Sequence, residues 1–471
     1  KRLSRRSNTL IPASQPLVFA EPTLRGQVRK MGLNVAQAGS FRVGTNKSGL
    51  TRARQALRGF ESSARGIEER PELQQSFRNE PHAAELLMHT SRDECISFLI
   101  ELLNDVEPKV RNTAIKTSVK KNTPEVIYTL IENLGNPLFS NQAMNALVLI
   151  GERTLPALET AFYRSGQTTA VILRLIQVMG KIGGSRAREM LWGKIDYPDK
   201  VVVSQVLLSL GECGFKAGIS QITRIKYAIE ADIADIRWNL SAIQEIGDHS
   251  FSDQIKNSLR WEIQNDIEHI YMLLAMLYDT RSIQLVKENI DSNTSEGITY
   301  AIELLDVFLS EQLKQRVIPV LDDLSDAERI SRLDDFYPRV RLDSKLVLKF
   351  IINRDFTQSN RWTKACVLQQ IGIQKISDFK LDLISQLFNP DNLIKEVAAW
   401  ALYQISESAY HESTKRLGDK LKKELDDLII HDKKMTVFEK VLFFQEVPVL
   451  ENVPGITLSY LADISVELRL K

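Results

Sequence analysis

The residues able to do chemistry are few and scattered. The chain of 471 residues holds six histidines (His82, His89, His249, His269, His411, His431) and three cysteines (Cys95, Cys213, Cys366). Metal sites announce themselves by His or Cys pairs at short spacings with carboxylate company. No histidine here stands in such a pair, and His82 and His89 read as neighbours on one exposed helix face. Gly180-Lys181-Ile182-Gly183-Gly184-Ser185 has the glycines and lysine of a phosphate loop. It lacks the Gly-Lys-Ser/Thr ending and a preceding strand, so it reads as a helix C-cap and turn. The serines and cysteines have no His/Asp partners that spacing can place. No catalytic residue, metal ligand or cofactor is therefore expected, and the chain is not expected to be an enzyme. What remains is charge. Arg111, Lys181, Arg186, Arg237 and Lys364 fall at second-helix or turn positions and are expected to line a concave face that receives a protein partner. The tryptophans, Trp192, Trp238, Trp261, Trp362 and Trp400, are expected in the core.

These positions can be read because the chain repeats. Helix ends recur at Val119-Lys120, Ile150-Gly151, Ile182-Gly183, Cys213-Gly214, Ile246-Gly247, Leu277-Tyr278, Leu309-Ser310, Ile371-Gly372 and Ile405-Ser406. The second residues of these pairs are 31, 32, 31, 33, 31, 32, 62 and 34 residues apart, the 62 being two periods. Glycine at five of these ends suits a left-handed helix C-cap, where a Cβ is costly. Within the last unit, Phe379–Phe388 is one short amphipathic helix, Asn389-Pro390-Asp391-Asn392 a turn, and the following stretch to Ile405 a second helix. Such a hairpin cannot bury its own apolar stripe and needs a neighbour like itself. The expected fold is all-α, an α-solenoid of two-helix repeats with a period near 31–33 residues.

Composition agrees. The chain is 43% hydrophobic with a net charge of +1, which gives no case for nucleic acid. No apolar run approaches the ~18–20 residues of a membrane span. The widely spaced cysteines suggest a reducing, cytoplasmic setting rather than a disulfide framework. Residues 1–70 carry 14 Lys/Arg against four acidic residues. This basic arm reads as a solvated tail near a membrane; a segment just after a membrane span, and a transit peptide, are the competing readings. A helix is expected at Arg52–Phe60. Repeats follow over 71–311, a lengthened irregular unit over 312–360, and repeats with a charged connector helix over 361–432. Residues 433–471 form a distinct C-terminal segment. The first residue is Lys, which suggests a piece of a longer protein.

The segment Asp105…Pro108-Lys109-Val110-Arg111…Ala114 resembles the HEAT repeat, with Asp in the turn, Val-Arg opening the second helix and Ala facing its partner. The resemblance implies a ladder of Asp–Arg bonds between successive units, although only Arg111 stands plainly at the Arg position. Met435–Glu467 resembles the helical start of a cyclic-nucleotide-binding domain, through Val441, Leu442, Phe443, Val447, Pro448, Val449, Leu450, Pro454, Leu458, Leu461 and Ala462. A terminal helical cap is the other reading of this segment. With the Arg361–Cys366 unit (RWTKAC), the combination resembles the HEAT region of bacterial proteins related to ATP/ADP translocases of the major-facilitator type. That resemblance implies a non-catalytic regulatory arm at the cytoplasmic face of the inner membrane, with a membrane domain upstream. A freestanding HEAT adaptor and a HEAT-like bilin lyase are the alternatives.

Overall fold

The computed structural model describes residues 94–247, 253–338, 343–431 and 433–467. The expectations for the basic arm, Arg52–Phe60, His82, His89 and His249 lie outside them. Every regular element among the described residues is helical, and the helices pack against their chain neighbours in an all-α, solenoid-like succession. The described residues divide into two compact units, one of 94–195 with 205–215 and the other of 196–204 with 216–467.

In the first unit the helices are short and paired. They are α1 (Glu94–Leu103), α2 (Pro108–Ser118), α3 (Pro124–Asn133), α4 (Ser140–Ile150), α5 (Leu155–Phe162), α6 (Thr169–Ile182) and α7 (Gly184–Trp192). Prolines mark the boundaries: Pro108 and Pro124 open α2 and α3, where a missing N–H costs nothing. Gly151, Gly183 and Gly247 end their helices at φ of 79°, 66° and 71° with extended ψ. That is a region open essentially to glycine alone, beyond the left-handed helical well expected of a C-cap. Gly180 serves packing instead, because a Cβ there would meet the Ser209 side chain at 2.6 Å.

Neighbouring units are bonded across about one period. In the first unit, Asn133 Nδ2 donates to the Leu103 carbonyl, 30 residues back, and Arg153 reaches Asn122, 31 back. Lys194, buried among Phe162 and Tyr163, pairs with Glu159 at 2.8 Å, 35 residues back. The second unit does the same with Lys345 and Asp378, 33 apart, and with Arg361 and Asp391, 30 apart.

The helix α8 (Lys200–Glu212) has residues in both units. The second unit continues with α9 (Ile219–Ile246) and α10 (Asp253–Leu277), and here the period survives while the hairpin does not. Each period is one continuous helix, of 28 and 25 residues, rather than two joined by a turn. Neither segment holds a glycine or proline, so nothing interrupts the ladder of backbone bonds. Their apolar stripes, Ile225-Ile229-Ile233-Ile236-Leu240 and Ile255-Leu259-Ile263-Ile270-Leu274, are buried as α9 packs on α10.

Short helices resume in α11 (Thr280–Asp291), α12 (Ser295–Phe308), α13 (Glu311–Leu321), α14 (Asp326–Leu333), α15 (Ser344–Asn353), α16 (Arg361–Ile373), α17 (Lys380–Gln386), α18 (Asn392–Ile405), α19 (Glu407–Thr414) and α20 (Asp419–Ile429). Over 312–360, α13 has Pro319 in its interior, α14 is short, and a loop runs from Arg354 to Ser359. One expected helix end fails. Gly372 lies inside α16, where a Cβ would meet Trp400 at 2.5 Å and Ala401 Cα at 2.9 Å. The glycine is there so that α16 and α18 can approach; the chain turns later, at Lys375 with φ 51°.

The C-terminal segment is a pair, α21 (Val437–Gln445) and α22 (Gly455–Ile464). Phe438 stacks on Trp362 with centroids 4.9 Å apart, and Gly455 lies so close to that indole that a Cβ would clash. The Val437 amide donates to Glu396 Oε2 at 2.8 Å. Burial pushes the Glu396 carboxyl up to about 7, against that hydrogen bond and Lys440.

Two outcomes follow. G372A is expected to destabilise the second unit by roughly 1–3 kcal/mol in denaturant unfolding, because backbone on α18 must give way. The raised Glu396 pKa means the folded protein holds that proton more tightly than the unfolded chain. Its contribution is fully present below about 4.5 and lost as pH rises through about 7. E396Q, which keeps the acceptor for Val437, is expected to flatten that decline and to be more stable than the parent at pH 8, by at most about 3 kcal/mol. A parallel decline in both proteins would contradict this.

Candidate functional site

The densest gathering of ionisable groups lies inside the second unit, where α8, α9, α10 and the loop before α16 meet. Its centre is Lys200. Asp199 starts α8 by accepting the Val201 and Val202 amides, and the Lys200 amide donates to the Phe356 carbonyl at 3.1 Å. The Lys200 side chain is thereby turned inward among three aspartates. Its ammonium contacts Asp266 Oδ1 closely, Asp235 Oδ2 at 3.3 Å and Asp232 Oδ1 at 3.9 Å. Asp232 and Asp235 stand one turn apart on α9; Glu262, Asp266 and His269 follow one another at four and three residues on the facing stripe of α10.

A second cation closes the cluster. Arg354 Nη2 donates to Asp235 Oδ1 at 2.9 Å, and its guanidinium lies over the Trp238 ring at 3.8 Å. Glu262 is held at the same depth by the Asn360 amide and by Thr363 Oγ1, which in turn accepts from Ser258. Burial is the leading influence throughout. It pushes the carboxyls of Glu262 and Asp235 up, and that of Asp266 well above the usual range, despite the nearby cations. For Lys200 burial opposes the charged form, but the three aspartates outweigh it and hold the ammonium protonated. Four carboxyl groups, Asp232, Asp235, Glu262 and Asp266, thus gather around Lys200 and Arg354.

Histidine 269, which spacing gave no partner, is 1% exposed and central. Its Nε2 lies 2.6 Å from Ser204 Oγ, and its Nδ1 lies 3.7 Å from Asp232 Oδ1. The signal for it was present in the sequence as polar residues set into an apolar stripe. Asp266 and His269 occupy positions on α10 between Ile263 and Ile270 that the helical period assigns to the core. Short-range pairing rules missed the cluster because its parts come from segments more than 30 residues apart.

The five basic residues expected on a partner face do not gather. Arg111 donates to Asn133 Oδ1 at 2.7 Å and lies over the Phe139 ring, so its neighbour is an asparagine rather than a ladder aspartate. Lys181 and Arg186 are exposed around the α6–α7 junction. Arg237 and Lys364 are buried, which corrects their assignment to an open face. Arg237 pairs with Asp334 at 2.5 Å, and Lys364 is turned to the carbonyls of Ile352 and Arg354. Burial there lowers the Lys364 pKa to about 8. The clearest Arg–Asp rung is one spacing did not single out. Arg361 holds Asp391 through Nε at 2.8 Å and Nη2 at 2.9 Å, and its Nη1 reaches Asp463 of α22.

A second concavity, a cleft of about 420 Å³, lies between the starts of α10 and α16 and the α21–α22 loop. Trp261, Trp362, Asn257, Gln445 and Asn452 line it, and Glu451 is the one charge in its described lining. No described helix is long and apolar enough to cross a membrane.

The chain matches no protein-family model and no curated protein. Among solved structures it is similar to the crystal structure of an engineered protein, at 15% identity over 82% of this chain and 95% of that one. The TM-score is 0.20, at which the likeness carries no argument about fold or function.

The charge cluster makes a sharp demand on stability. K200M is expected to cost about 3–5 kcal/mol in equilibrium unfolding, because it strands buried aspartates without their cation. K200M/D266N together should cost less than K200M alone, since one stranded charge is removed with its partner. Additive losses would place the two groups in separate environments.

Proposed function

We propose that this chain is a non-catalytic interaction scaffold, a solenoid-like array of helical units that offers its outer faces to a protein partner. Following the resemblances in its sequence, it serves as the regulatory arm of a nucleotide-carrier-like membrane protein, on the cytoplasmic side, beside a cyclic-nucleotide-sensing segment. The observation that supports the scaffold reading is the set of bonds spaced by one period. Pairs such as Asn133 with Leu103 and Arg361 with Asp391 join each unit to the next through side chains. Stability in such an array comes from nearest neighbours, which leaves the outer faces free to vary for recognition.

The exposed basic pair Lys181 and Arg186 gives the first unit a basic surface at the α6–α7 junction. An acidic protein surface is its natural complement. The test is cross-linking of the purified chain to native membranes, with partners identified by mass spectrometry. A reproducible membrane-protein partner is expected, and K181E/R186E should weaken its capture at least tenfold, with circular dichroism unchanged. Capture indifferent to that reversal, and to charge reversal on the other exposed faces, would defeat the scaffold reading. Capture of soluble partners alone would defeat the carrier-arm part of it.

A further inference from the structure

Donor atoms of Asp232, Asp266 and His269, one from each, lie within 4.8 Å of one another. The placement of hydrogens decides what they can hold. Ser204 Oγ donates its proton to the Lys200 carbonyl at 2.9 Å, so toward His269 Nε2, at 2.6 Å, it acts as acceptor. The tautomer that fits this arrangement carries its proton on Nε2. The Asn265 Nδ2 lies 3.3 Å from the same nitrogen, so this tautomer requires the carboxamide turned to bring its oxygen there. The bare lone pair of Nδ1 then points toward Asp232 Oδ1, another acceptor, at 3.7 Å. Asp266 is fully buried, and no hydrogen bond reaches its Oδ2. Lys200 sits against the other oxygen, Oδ1. Three electron-pair donors thus converge, two of them buried. Asp235 and Glu262 add two further buried carboxyl groups beside Lys200 and Arg354.

We propose that Asp232, Asp266 and His269 form a binding site for a divalent transition metal of the Zn²⁺ type, fastening α9 to α10, with Ser204 orienting the imidazole. One imidazole nitrogen with carboxylate oxygens suits Zn²⁺ or Co²⁺, whereas Mg²⁺ and Ca²⁺ favour all-oxygen shells. Ligand atoms around a tetrahedral zinc lie on the order of 3.4 Å apart. The observed 3.7 Å between Nδ1 and Oδ1 needs a shift of only a few tenths of an ångström. The hydrogen bond from the far ring nitrogen to Ser204 is the usual support of a metal-bound histidine. This site is independent of the scaffold reading and survives if that reading fails.

The test is equilibrium dialysis of the chelator-stripped protein against Zn²⁺, with bound metal counted and the thermal midpoint recorded. It is run in an H411Q/H431Q background to remove two histidines outside the cluster. One Zn²⁺ per chain and a raised midpoint are expected. H269Q and D232N should weaken Zn²⁺ at least tenfold, and S204A roughly tenfold through loss of imidazole orientation. Co²⁺ should give visible absorption bands that H269Q abolishes. D232N lies at the more exposed edge of the cluster and S204A deletes one hydroxyl, so these two decide the matter if H269Q unfolds. Substoichiometric Zn²⁺ in the parent, or parent-like affinity in both D232N and S204A, would overturn the site.

Discussion

The second unit depends on one ammonium group. Lys200 stands at the start of α8 and is surrounded by carboxylates from α9 and α10, deep enough that water can do little for any of them. A buried ion pair is a poor source of net stability, because desolvation opposes it as strongly as Coulomb attraction favours it. Its value is selectivity. Many ways of sliding α9 along α10 would bury a similar apolar area, since both stripes are rich in isoleucine and leucine. Only one register places Asp232, Asp235 and Asp266 around the same cation. Apolar packing drives these helices together, and the charges choose how they meet.

Arg361 repeats that logic at the other end of the unit. Its guanidinium grips Asp391 with two nitrogens, and Asp391 also accepts the Ile394 amide that begins α18. The same side chain reaches Asp463 on α22 and lies over the Tyr460 ring. One residue therefore ties the first turn of its own helix to the cap of the next unit and to the C-terminal pair. The planar fork of arginine allows this where lysine, a point charge, would not.

Much of the fold was legible in the sequence because helix ends obey local rules. Prolines at first turns, an aspartate cap at Asp391 and glycines at Gly151, Gly183 and Gly247 act within a few residues of themselves. Gly372 misled for the opposite reason. Its cause lies 28 residues away in Trp400, and a close approach between helices leaves no local mark that distinguishes it from a cap. The joined helices α9 and α10 were hidden in the same way, since the apolar period is identical whether or not a turn divides each unit. The charge cluster was missed because its members come from α8, α9, α10 and the loop before α16, far apart in the chain. Polar residues at core positions of an amphipathic stripe, Asp266 and His269 above all, were the available signal. Arg237 and Lys364 show the limit of reading cations as surface, for each found its partner inside the chain.

The two uninterrupted helices also carry a mechanical consequence. Arrays of short hairpins bend because each turn is a compliant joint, and small rotations add up along the stack. At 1.5 Å per residue, α9 and α10 are struts of roughly 42 and 38 Å without such a joint. They are bolted together midway through Lys200, which pairs with Asp235 of α9 and with Asp266 of α10. A load on the chain would leave this pair straight and concentrate flexing at its ends. Motion arriving at one end would leave the other as a rotation of the whole strut, which makes this pair the lever of the molecule.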